Sequence, residues 1–136
     1  MMSKDIYTFL LTFGVMTVLD AVWLGLIAPK FYKKHIGYIM AKKPNWLAAA
    51  CFYLVFVFGI SVFIVYPGWH SSYSLLKVAL LGGLFGFVSY ATYDLTNQAT
   101  LKNWPLKVTV VDLIWGTILT SGVSMISVSI FSAFIK

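Results

Sequence analysis

A chain of 136 residues that is 60% hydrophobic and only 10% charged, with a mean hydropathy of +0.88, carries more apolar side chain than a water-soluble domain can bury. Its formal charge of +6 rests on lysines alone, and these punctuate apolar runs, so the composition points to a membrane rather than to nucleic acid. Cys51 is the only cysteine, which excludes an intrachain disulfide and a cysteine metal cluster; it reads as a small packing residue.

The first apolar run, residues 6–28, is long enough to cross a hydrocarbon core of roughly 30 Å. It reads as a retained helix rather than a signal peptide, because it is long, contains Asp20 and ends in "GLIAPKFY" without a small-residue cleavage pattern. Next comes "KFYKKHIGYIMAKK". A helical projection over 30–41 puts Phe31, Tyr32, Ile36, Ile39 and Met40 on one half and Lys30, Lys33, Lys34 and Gly37 on the other, as an interfacial helix would. The same stretch also reads as an ordinary basic loop. With Lys42 and Lys43, its lysines are the expected contacts for anionic lipid headgroups.

Residues 46–66, 75–98 and 106–135 form three further spans. Asn45 and Asn103 each stand before a Trp where an N-cap would fall, and Pro105 suits a first helical turn. Trp46, Trp69, Trp104, Tyr66 and Tyr73 are expected in interfacial belts, and "YPGWHSSYS" as a short turn. His35 and His70 read as surface residues. The expected fold is all-α, one polytopic four-helix transmembrane bundle over residues 1–136, since unbroken apolar runs exclude a barrel. Seven lysines lie in the first and third connections against Lys4, Lys77 and Lys136 on the other side, so both termini are expected outside.

Asp20, Asp94 and Asp112 interrupt the spans, and each would cost roughly 2.5–3.5 kcal/mol at a bilayer centre. Counting from the lysine-rich boundary puts all three at one level, about 12–14 Å in. In the third span, Gly83, Gly86, Tyr90, Asp94 and Asn97 share a stripe, and Gly82 and Gly86 let another helix approach, so Asp94 should face a neighbour. The phrases "TVLDAVW" and "TVVDLIW" set Thr17, Asp20 and Trp23 on one face and Thr109, Asp112 and Trp115 on another. In antiparallel helices this repeat reads either as a pseudo-twofold site or as coincidence. Thr117, Thr120, Ser121, Ser124 and Ser127 read as packing contacts or as a polar wall leading outward.

Asp20, Asp94, Asp112, Tyr90, Asn97, Trp23, Trp115, Thr17 and Thr109 form the candidate set for binding a proton, a cation or another ligand. Burial disfavours a charged carboxylate, and no basic residue lies deep in a span, so at least one Asp is expected to carry a proton or to attract a cation. No catalytic residue is assigned, and no metal or cofactor is expected.

The strings "LDAVWLG", "FYKKHIGYIMAKKPNWLAAACFYLVF" and "YATYDLTNQATLKNWPLKVTVVDLIWGT" resemble the bacterial membrane-protein family known as domain of unknown function 2177. The resemblance spans nearly the whole chain and implies a small four-span protein of the inner membrane; it brings no reaction or substrate. Three functions follow as expectations. The first is a transporter or channel-like protein linked to a proton or cation, which would need to dimerise to enclose a path. The second is a membrane-embedded lipid or isoprenoid enzyme or its subunit, although the chain has no arginine for phosphate. The third is a structural subunit whose polar side chains fix helix register.

Overall fold

A computed structural model of the chain describes residues 2–135. Five helices carry the fold: α1 (Met2–Leu26), α2 (Ala28–Ile36), α3 (Trp46–His70), α4 (Leu75–Thr100) and α5 (Leu106–Phe134). All except α2 are long and apolar enough to span a bilayer, and between 22% and 39% of each span's apolar window is buried, so most of the surface is side chain suited to lipid. The result is an all-α, four-helix membrane bundle. Lys136 lies outside the described residues, as does Met1.

The tightest seam is α4 against α5. Glycine makes it: a Cβ on Gly86 would collide with the Gly116 carbonyl oxygen, and one on Gly82 would stand 2.6 Å from Ser124 Oγ. α1 packs against α5 and α3, whereas α3 approaches α4 closely only around residues 61–65. There Ser61–Val65 form a π turn. Its wider ring accommodates Pro67, which has no N–H to give, and the helix runs on to His70 instead of stopping at 66. Towards the lysine-rich end the α3 and α4 backbones separate, and aromatic side chains fill part of the gap, Phe56 lying 5.7 Å from Phe85 and 6.1 Å from Tyr90.

Caps and ends differ from expectation in instructive ways. Asn45 does cap α3, accepting from the Ala48 N–H at 3.1 Å. Asn103 does not cap α5; it takes a left-handed φ of 62°, which Asn tolerates, and the N-cap is Pro105. Trp104 is buried instead of belted. Its indole donates to Thr109 Oγ1 at 3.1 Å while Gln98 bonds the Trp104 carbonyl and accepts from Thr109, closing the α4–α5 connection. At the terminal end, Lys4 and Lys77 lie over Trp69 and Tyr73, snorkelling among the expected aromatics. Cys51 faces outward from the bundle and is not a packing residue.

The helix expected over 30–41 is α2, begun earlier by Pro29 in its first turn and ended at Ile36 by Gly37. Lys30, Lys33 and Lys34 are exposed, Phe31 and Tyr32 half-buried, and Ile39 and Met40 lie exposed beyond its end.

Candidate functional site

Along α1 the buried row is Thr8, Thr12, Met16, Asp20 and Trp23. Thr17 stands one step off that row, exposed, its hydroxyl returned to the Phe13 carbonyl, and so takes no part in the site. Asp20 is 7% exposed and accepts from the Tyr53 hydroxyl of α3 through Oδ2. The Trp115 indole N–H faces the same carboxylate without closing to a full hydrogen bond.

On α5 the buried row includes Thr109, Asp112, Gly116 and Thr120. Asp112 is 6% exposed and accepts through Oδ1 from the hydroxyl of Tyr32, which reaches in from α2. Burial, reinforced by the Asp112 carboxylate, raises Tyr32 above the ordinary phenol value, so it remains a donor. Thr109 points the other way, into the Trp104–Gln98 lock, and Asn97 is only half-buried while Gln98 beside it makes the contacts.

Asp94 is fully buried on α4, aimed at α5 as its glycine stripe implies. Neither of its oxygens has a hydrogen-bond donor, and the group beside it is the carboxyl of Asp112. Tyr90 packs its ring against Gly116 and lies within electrostatic reach of all three acids. Their described neighbours are hydroxyls, indoles and one another, with no lysine among them.

Trp23 and Trp115 stack face to face, with ring centres 4.6 Å apart and planes 10° apart. Asp20 and Asp112 each precede their own Trp by three residues on these two helices. Among the described residues, no three His, Cys, Asp or Glu side chains converge closely enough for a metal ion. Asp94 and Asp112 are direct neighbours, Asp20 is bonded to Tyr53, and Tyr90 lies within electrostatic reach of all three.

A cleft of about 420 Å³ opens between α3 and α4, lined by Phe52, Phe56, Ser89, Tyr90, Tyr93 and Asp112. On the hydroxyl face of α5, Thr117 and Ser121 border a groove of about 520 Å³ with Ala79, Gly83 and Met125, but it holds no ionisable side chain. Thr117 bonds the Leu113 carbonyl and Ser121 the Ala79 carbonyl, while Thr120, Ser124 and Ser127 are buried without partners, the first two pressed on Gly86 and Gly82.

Two residues that hold the acids, Tyr32 and Tyr53, were not among the expected site residues. Tyr32 lay hidden on the apolar row of an apparent surface helix. Tyr53 carried a readable signal, being the only hydroxyl in Trp46–Ile60.

Fold and site together define a polytopic α-helical membrane protein with an unneutralised acid pair in its core. The chain belongs to the family described as predicted membrane protein (DUF2177), whose model matches residues 5–129. No curated protein and no solved structure matches it.

Proposed function

We propose that the protein is a small transporter whose Asp94–Asp112 pair binds a proton or a cation within the membrane. The observation that carries this reading is Asp94, fully buried with both oxygens lacking a donor and a second carboxyl alongside. Two unit charges about 4 Å apart repel by roughly 4 kcal/mol at an effective dielectric of 20. A hydrogen bond to a charged group returns about 1.5–3 kcal/mol, so the Tyr32 bond to Asp112 alone does not hold both acids ionised. The pair therefore holds one proton between its carboxyls or exchanges it for a cation.

An enzyme reading lacks support of this kind, because among the described residues no three ligating side chains meet and the groups around the acids are not phosphate-binding. A purely structural role suits Asp20, tied to Tyr53, better than it suits the pair. On this reading the lysine-rich end faces the cytoplasm of a bacterial inner membrane with both termini outside. Lys30, Lys33 and Lys34 on α2, with Lys42 and Lys43, meet anionic headgroups there at about 1 kcal/mol each. A homodimer supplies the walls that one copy lacks.

The test is flux in proteoliposomes carrying an imposed proton gradient, with a panel of monovalent cations and a pH-sensitive dye. Protein-dependent flux should fall at least tenfold in Asp94→Asn and Asp112→Asn and persist in Asp20→Asn. Equal loss in all three, with folding retained, would remove the distinction; no flux with any cation would remove the reading.

A further inference from the structure

We infer that the α3–α4 cleft is the entrance and binding pocket for an amphipathic organic cation that comes from the lipid phase and takes the place of the proton on the Asp94–Asp112 pair. This deepens the transporter reading and rests on it.

Four features of the cleft argue for such an occupant. Its volume, about 420 Å³, lies within the roughly 300–1,000 Å³ of pockets that hold compact organic ligands. It opens where α3 and α4 diverge, between residues such as Phe52 and Tyr93 that are themselves half or more exposed on the membrane-facing surface, so a ligand reaches it sideways without crossing water. The walls are aromatic, with Phe52, Phe56, Tyr90 and Tyr93 offering ring faces that attract a desolvated cation. Its one ionisable acid is Asp112, which is backed by Asp94.

Charge selects the sign of the ligand. The groups that face Asp112 are Tyr32 from α2, Tyr90 and Asp94 from α4 and, beyond the stacked indoles, Asp20 of α1 with Tyr53 of α3. All are neutral or acidic. An anionic headgroup would meet only repulsion, and a neutral lipid would leave the acid pair as it was. A tertiary or quaternary ammonium or a phosphonium with an apolar body meets a carboxylate at its charged centre and rings around its body. Small inorganic ions are held more strongly by water than by those rings, so the cleft favours a weakly hydrated organic cation over them. Because the ligand and the proton compete for one pair, binding of the cation releases a proton, and its affinity rises with pH by up to tenfold per unit while the pair binds a single proton.

Titration of the full chain in lipid nanodiscs with tetraphenylphosphonium, read by Trp fluorescence and by proton release in weak buffer, tests this. Saturable binding is expected, at least tenfold weaker in Asp112→Asn and in Ser89→Trp, which fills the cleft from α4. Phe52→Ala on the exposed wall should weaken binding about threefold and serves if Ser89→Trp does not fold. Uncharged triphenylphosphine oxide should bind at least tenfold more weakly than the phosphonium. Unchanged phosphonium affinity in Ser89→Trp, or in Phe52→Ala where Ser89→Trp does not fold, would overturn the cleft assignment, as would equal affinity for the neutral probe. Absence of phosphonium binding alongside Asp94-dependent flux of inorganic cations would overturn this inference and leave the transporter reading standing. Absence of both would overturn the two together.

Discussion

Asp20 and Asp112 occupy almost the same heptapeptide, "TVLDAVW" on α1 and "TVVDLIW" on α5, and each receives a tyrosine hydroxyl from another helix. Their tryptophans stack between them, as a local twofold would arrange. What separates the two acids is α4. On the α1 side, Tyr53 and the nearby Trp115 indole are the neighbours of a lone carboxylate; on the α5 side, the glycine seam brings in Asp94, a second acid with no donor of its own. On the proposed reading, one buried acid serves as a helix tie and another as the binding group, and the difference lies in which neighbour the packing delivers.

If that contrast is right, stability should respond oppositely at the two places. The largest effect is expected from Asp20→Leu, which removes the acceptor and leaves the Tyr53 hydroxyl unpaired; thermal unfolding in detergent should show a loss of about 2 kcal/mol. Tyr53→Phe deletes the same bond and leaves the buried Asp20 carboxyl facing only the Trp115 indole, so a comparable loss of about 1–2 kcal/mol is expected, with the double variant less than additive. Asp94→Asn should lie within about 0.5 kcal/mol of the parent or be more stable, because an uncompensated acid is replaced by a neutral group of equal size. A loss at Asp94 matching that at Asp20 would erase the distinction between tie and reactive pair.

Much of the fold was legible because lipid makes few demands, and four long apolar runs satisfy them. Asp94's direction was equally readable, since Gly82 and Gly86 announce the face that meets another helix. The repeated phrase on α1 and α5 ends in Trp23 and Trp115, and these two rings stack. Residue counting measures distance from a boundary and not the register between packed helices, so it did not say that Asp94 and Asp112 would be direct neighbours. Thr17, Thr109 and Asn97 were drawn in by broad helical stripes, whereas burial follows narrower rows and the α4–α5 connection claims Thr109 for its own lock. The π turn left no periodic signal, and Tyr32 was unreadable because a hydroxyl at the rim of an apolar row looks like an interfacial anchor until the helix beneath it is known.

The central claim is that Asp94 and Asp112 share a proton inside the bundle. Infrared spectroscopy of the protein in lipid at neutral pH tests it most directly, through the carbonyl band of a protonated carboxyl group and its isotope shift in deuterated water. The account predicts such a band, abolished in Asp94→Asn and in Asp112→Asn and unchanged in Asp20→Asn. A spectrum with only ionised carboxylates, or a band that disappears with Asp20 instead, would contradict it.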